Sequence, residues 1–325
     1  MTASRDGRAD VVALDNGGAT DLEPFENLDR IATVEMRTQG IPKGIVRRLY
    51  GVARTDGPLT HALAEALLEC AGGRVAIFTG IVCEPLPRGE VDGPVGAAVL
   101  AETLERVGVA VDLIVPSEMV GVSNAIKASL VGSHEVLDAP RDADDYVAIV
   151  TIEKLGRNEA GATHTILGTP VEQDFVADDL IEQFNERGRL TIAIGDGGNE
   201  VGFGAIYEDA LELVPRGRDC GCPCGGGIIS TTATRLLFPA AVSNFGAYAV
   251  ACALGVLVGR PTVCPQPDQV GSAIAAAVGE GCIDGGTFYP HVLADDGIPL
   301  KGVEHVVGVM RTIVDQTFRS TPRTG

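Results

Sequence analysis

The 325-residue sequence predicts an α/β protein with a three-layer, mostly parallel, Rossmann-like sheet and helices on both faces. Three observations lead there. Short apolar or β-branched runs alternate with longer helix-periodic stretches, the pattern of repeated strand–helix units. Hydrophobic residues make up 45% of the chain, with 4% aromatics and no Trp, which suits a layered aliphatic core. Glycine-rich segments follow the apolar runs directly, where strands would feed loops.

The expected strands lie at 75–79, 111–115, 146–152, 190–194 and 240–243. Helical faces include Leu100, Leu104 and Val107, then Val176, Leu180, Ile181 and Phe184, and the stretch 248–257. Two Asp-Gly-Pro segments, DGPLTHALAEAL from Asp56 and DGPVGAAVLAETL from Asp92, read as helix starts. Pro suits the first turn, and the Asp can accept its free N–H groups. Capping is the expectation for Asp56; for Asp92, capping and ligand contact both stand. Residues 1–30 are acidic and without a periodic apolar face, so they are expected to form a disordered or loosely attached tail. The α/β domain is expected to span 31–325.

A net charge of −19 opposes nucleic-acid binding, which needs clustered Lys and Arg. The longest apolar run, 247–258, is too short for ~30 Å of hydrocarbon, so no membrane span is expected. The acidic opening lacks the apolar stretch of a secretory signal, which points to the cytoplasm and to reduced thiols for the eight cysteines. A homo-oligomer is expected on general grounds only.

The segment LTIAIGDGGNEVGFG carries the strongest chemical signal. A β-run ends at Ile194, and Gly195, Gly197 and Gly198 are interleaved with Asp196, Asn199 and Glu200. Glycine lets a ligand approach the backbone closely, and successive N–H groups can cradle an anion. The segment fits neither G-x-G-x-x-G nor a Walker loop, so no nucleotide cofactor is expected. Oxygen ligands without nearby His or Cys favour Mn²⁺ or Mg²⁺, with Asp196, Asn199 and Glu200 as ligands and Asp92, Glu153 and Glu90 completing the set.

GRDCGCPCGGGIIS places Cys220, Cys222 and Cys224 at alternate positions. That spacing matches no zinc ribbon or ferredoxin run and shows no fourth ligand, so it reads as a reduced, redox-sensitive glycine loop. In PAAVSNFGAYAV, Ser243 and Asn244 sit where a β-run gives way to an apolar helix, as ligand contacts or caps. Of the five histidines, only His164 lies in a candidate loop.

VDGPVGAAVLAETLERVG, IEKLGRNEAG, IGDGGNEVGFG, CPCGGGIIS and AAVSNFGAYA, in that order, resemble the D-glutamate cyclase-like C-terminal domain family, over about 31–313. The resemblance implies a small-molecule enzyme that dehydrates D-glutamate to 5-oxo-D-proline. Asp196, Glu200 and Glu153 would be catalytic, with Glu200 or Glu153 as the base. Substrate would meet Gly195, Gly197, Gly198, Asn199, Asn158, Ser243, Asn244 and, through its α-carboxylate, Arg157. An archaeal relative resembles a manganese-dependent phosphatase, and in the mammalian enzyme the domain is one part of a longer protein. A phosphatase and a non-catalytic metabolite-binding domain are therefore the alternatives. The sequence departs from the family pattern at Thr163, where an aromatic is expected, and at Phe245, which replaces the usual Trp.

Overall fold

The computed structural model describes residues 21–37 and 43–319. The first elements are helices α1 (Glu23–Ala32), α2 (Ile45–Ala53) and α3 (Leu59–Leu68), followed by strand β1 (Arg74–Thr79). Next come α4 (Pro94–Arg106), β2 (Ala110–Ile114), α5 (Val120–Leu130), β3 (Glu135–Leu137) and β4 (Ala148–Ile152). A small hairpin, β5 (Thr163–His164) and β6 (Pro170–Val171), precedes α6 (Val176–Glu186), β7 (Leu190–Gly195), α7 (Tyr207–Leu213) and β8 (Leu236–Pro239). The chain closes with α8 (Ser243–Leu257), α9 (Pro267–Gly279), the hairpin β9 (Ala294–Asp295) and β10 (Ile298–Pro299), and α10 (Leu300–Thr317).

The main sheet runs β3-β2-β1-β4-β7-β8, with every pairing parallel. Counted along this sheet alone, the order is the doubly wound 3-2-1-4-5-6, whose direction reverses between β1 and β4. Side chains alternate along the strands. Val75, Ile77, Val150, Ile152, Ile192 and Ile194 face the large core formed with α1, α3, α4, α5 and α8–α10. Ala76, Phe78 and Ile149 face α6, while Ala193 and Leu237 face α2 and α7. This is the expected three-layer α/β architecture.

The main differences from expectation are local. Strand β8 ends at Pro239, so 240–242 is the connection into α8 and Ser243 its first residue, rather than a strand: bulky Leu236, Leu237 and Phe238 pair with β7, and the ladder stops after the Ala240 N–H bonds the Gly195 carbonyl at 2.9 Å. Strand β3 is a three-residue edge strand with no fully buried side chain, so no apolar run announces it. The supposed tail to Arg30 includes most of α1. Phe25, Leu28 and Ala32 form a helical stripe of complete burial, and each large side chain contributes roughly 1.5–3 kcal/mol. Residues 1–20 of that expected tail lie outside the described residues.

Helix α8 is apolar on all sides and buried from Ser243 to Gly255, as a central core helix must be. No helix among the described residues is long and apolar enough to cross a membrane.

Candidate active site

The loops leaving β1, β4 and β7 bring Asp92, Glu153 and Asp196 together beside the point where strand order reverses, the usual ligand position in such sheets. Asp92 does not cap its own helix. Its Oδ2 accepts the N–H of Ser243 at 3.1 Å, and its Oδ1 accepts those of Asn244 at 2.7 Å and Gly93 at 2.9 Å, so it caps α8 from across the fold. Asp56 does not cap α3 either: Asp29 takes the N–H groups of Leu59 at 2.6 Å and Thr60 at 3.0 Å.

Glu153 follows β4 with a left-handed backbone, φ 46°, which is strained for a residue with a long side chain. Gly93 packs against it so closely that a Cβ there would stand 2.7 Å from that of Glu153. The Ser243 hydroxyl donates to Glu153 Oε2 at 2.6 Å. Asn244 binds the same region together: its Oδ1 accepts from Gly93 and Gly96 at 2.9 and 2.6 Å, and its Nδ2 donates to Asp295 Oδ2 at 2.9 Å. Ser243 and Asn244 thus hold the acids from below and do not line the cavity.

The glycine loop is occupied from within. Glu200 Oε1 accepts the N–H groups of Asp196 and Gly197 at 2.9 and 2.7 Å, and Oε2 accepts that of Gly198 at 2.7 Å. The N–H cradle expected for substrate therefore holds the chain's own carboxylate, because a residue three places past Gly197 reaches back over so tight a turn. The same bonds engage both Glu200 oxygens, which sets it apart from Glu153 as a base. Asn199 donates to the His164 carbonyl at 2.9 Å and lines the cavity.

Above these groups is a cavity of about 290 Å³. Its polar wall is Arg37, Glu90, Glu153, Asp196, Asn199 and Asp296; Leu86, Leu155 and Phe288 belong to its apolar wall. Among the described residues Arg37 is the one cation lining it, pairing with Asp196 at 2.7 Å and with Asp296. Arg157 is elsewhere. It is tied to Asp179 at 2.6 Å and Glu182 at 3.3 Å and lies over the Phe175 ring, held there by the acidic face of α6. Asn158 braces a different loop, donating to the Gly227 carbonyl at 2.7 Å.

Burial raises the pKa of Glu90, Asp92, Glu153, Asp196 and Asp295 well above ordinary carboxylate values, and repulsion among neighbouring acids adds to it. Arg37 offsets part of this at Asp196, as the Asn244 amide does at Asp295. For Arg37, burial opposes the charge, yet Asp196 and Asp296 outweigh it and push its pKa up.

A family model described as D-glutamate cyclase-like, C-terminal, matches residues 56–311. The chain belongs to this family. No curated protein matches it. The matched stretch contains the acids of the cavity but not Arg37, which comes from the segment after α1.

Sequence reasoning missed Arg37, Asp295 and Asp296. The local signal for the last two was acids beside glycine, in Asp295-Asp296-Gly297, the composition already noted around Asp196. Asp296 also holds positive φ, 50°.

The donor set fits a hard cation. Oxygens of Asp92, Asp196 and Asp296 lie within 4.8 Å of one another, as do those of Glu153, Asp196 and Glu200. Asp295 Oδ1 is buried with no protein partner. Carboxylate oxygens in such density, with Arg37 as compensation, suit a hard cation rather than a thiophilic ion.

Proposed function

We propose that the chain is a cyclase of the D-glutamate type, converting D-glutamate to 5-oxo-D-proline in the cavity between Glu153, Glu90 and Arg37. The observation that carries this reading is a buried and a half-buried carboxyl group, Glu153 and Glu90, both of raised pKa and facing one cavity with a guanidinium on its wall. In the reaction the substrate nitrogen bonds to its own γ-carboxyl carbon, one C–O bond breaks, and two protons pass from nitrogen to the departing oxygen, which leaves as water.

Glu153 takes the ammonium proton. A raised pKa makes it a stronger base, and the Ser243 hydroxyl donates to its ionised form. Glu90 supplies the proton to the leaving oxygen: burial, then Asp296, Asp295, Glu200 and Asp284, all favour its protonated state. Arg37 receives a substrate carboxylate, the role that Arg157 lies too far from the cavity wall to fill. The small volume favours the folded-back substrate conformer that cyclisation needs. Asp92, Asp196 and Asp296 would hold Mn²⁺ or Mg²⁺, which when bound would offset the repulsion between a dicarboxylate substrate and this acidic wall and polarise the γ-carboxyl group.

The test uses protein dialysed free of Mn²⁺ and Mg²⁺, supplied with D-glutamate, then L-glutamate, with and without each ion added back. 5-Oxoproline release is expected from the D isomer, with a fall of about 10²–10⁴-fold in Glu153→Gln. No release under any ion would remove the reading.

A second reading rests on Asp196 belonging to both acid triads. One carboxylate shared by adjacent cation positions is the arrangement used in two-metal phosphoester hydrolysis. Release of phosphate from a generic phosphomonoester, with D-glutamate untouched, selects it.

A further inference from the structure

The thiol loop gains a fourth ligand from a distant hairpin. Cys220 Sγ lies 3.2 Å from Cys222 Sγ and 3.4 Å from Cys224 Sγ. His164, on β5, directs Nε2 at the same point, 3.3 Å from Cys222 Sγ and 3.5 Å from Cys224 Sγ. All four ligand atoms lie within 4.8 Å of one another.

We infer that Cys220, Cys222, Cys224 and His164 form a tetrahedral Cys₃His site for Zn²⁺, separate from the acidic cavity and structural in role. A tetrahedron with Zn–S near 2.3 Å and Zn–N near 2.0–2.1 Å has edges of roughly 3.5–3.8 Å. Three of these separations, 3.2, 3.3 and 3.4 Å, fall slightly short of that range and the fourth, 3.5 Å, reaches its lower end, so a small outward opening of the shell admits the ion. The sulfurs surround a common centre instead of pairing: even the closest two are far beyond the ~2.05 Å of a disulfide, and all three are free thiols.

The surroundings favour thiolates. The N–H groups of Cys222, Cys224 and Gly226 point at Cys220, Cys222 and Cys224 sulfurs at 3.4, 3.4 and 3.5 Å, and Asn158 Nδ2 at Cys224 Sγ at 3.6 Å. Donors on ligand sulfurs are a regular outer shell of thiolate–metal centres. Three soft sulfurs and an imidazole select Zn²⁺, where the carboxylate cavity selects a hard ion. Binding releases the three thiol protons to solvent.

The site fastens one wall of the cavity. Thr165, Ile166, Leu167 and Thr169, the residues between β5 and β6, line it, and the His164 carbonyl is held by Asn199 of the glycine loop. Zinc would therefore tie the glycine-rich segment 220–227, which has few large apolar side chains to anchor it, to the hairpin and to the acid loop.

The experiment is metal analysis of the full chain purified without chelator, with X-ray absorption at the zinc edge. One zinc per chain with three sulfur and one nitrogen neighbours is expected, together with protection of these thiols from a thiol reagent. Zinc content should fall to about zero in Cys222→Ser and His164→Ala and stay at one in Asp196→Asn, whatever happens to activity. If the ligand variants fail to fold, Co²⁺ exchanged into the wild-type chain must show thiolate-to-cobalt charge-transfer and tetrahedral bands. Folded wild-type protein with no zinc and freely reacting thiols overturns the assignment, as does zinc with an oxygen-only shell or a sulfur shell holding iron. None of these readouts depends on D-glutamate turnover.

Discussion

The hydroxyl of Ser243 donates to Oε2 of Glu153 at 2.6 Å, joining the first residue of α8 to the acid that follows β4. The bond favours the ionised carboxylate, and removing it should raise the pKa of Glu153 further. Ser243→Ala is expected to move the acidic limb of the pH–rate profile upward by about half to one unit, since one such bond is worth roughly 0.5–1.5 kcal/mol. Maximal rate at high pH should change little. An unmoved limb would mean that Glu153 is not the titrating base.

Asn244 satisfies four partners at once: the N–H groups of Gly93 and Gly96, the Val91 carbonyl and Asp295. Asn244→Ala leaves the Gly96 N–H, the Val91 carbonyl and the Asp295 carboxyl group without this partner, while the Gly93 N–H keeps Asp92 Oδ1. At about 1–3 kcal/mol for each orphaned buried group, partly relieved by water, the expected loss is roughly 2–5 kcal/mol. Denaturant unfolding measures it; a loss below about 1 kcal/mol would show that the site relaxes around the gap.

How far the sequence could carry the site depends on sequence distance. The glycine loop was readable because Asp196, Asn199 and Glu200 are neighbours in the chain, although nothing local says that Glu200 folds back to fill the cradle. Arg37 meets Asp196 across 159 residues and Asp296 across 259, and His164 meets Cys222 across 58. No periodicity encodes such pairings. The sheet was more accessible, since strands buried on both faces are continuous apolar runs. Edge strand β3 and helix α1 escaped because charged residues interrupt or surround their apolar positions.

Arg37 and Arg157 give opposite expectations. Arg37→Ala should raise KM for D-glutamate about 10–100-fold, the range of a lost charge-assisted hydrogen bond. Arg157→Ala should leave KM and kcat within about twofold, because its guanidinium is engaged by Asp179 and Glu182 outside the cavity. Steady-state kinetics on both variants, with circular dichroism to establish folding, decide between them. The reverse pattern would return the carboxylate-binding role to Arg157.

The clustered acids also make stability depend on pH and on divalent cations in a defined direction. Glu90, Asp92, Glu153, Asp196 and Asp295 have folded-state pKa values raised above their ordinary 4.5 or 3.8, by burial first and neighbouring acids second. A raised value means that the folded state binds more protons than the unfolded chain. The associated stability is complete below the ordinary values and is lost as pH rises through the raised ones. Without added Mg²⁺ or Mn²⁺, the melting temperature should therefore fall as pH rises above the ordinary carboxylate values. In the proposed site either ion would bind the ionised acids, so its stabilising effect should grow in the same direction. Mg²⁺ is the cleaner probe, because thiolates at Cys220, Cys222 and Cys224 have little affinity for it. Asp196→Asn, which removes the ligand shared by both triads, should flatten the cation effect. Equal stabilisation by Mg²⁺ at both ends of the pH range would separate cation binding from these acids altogether.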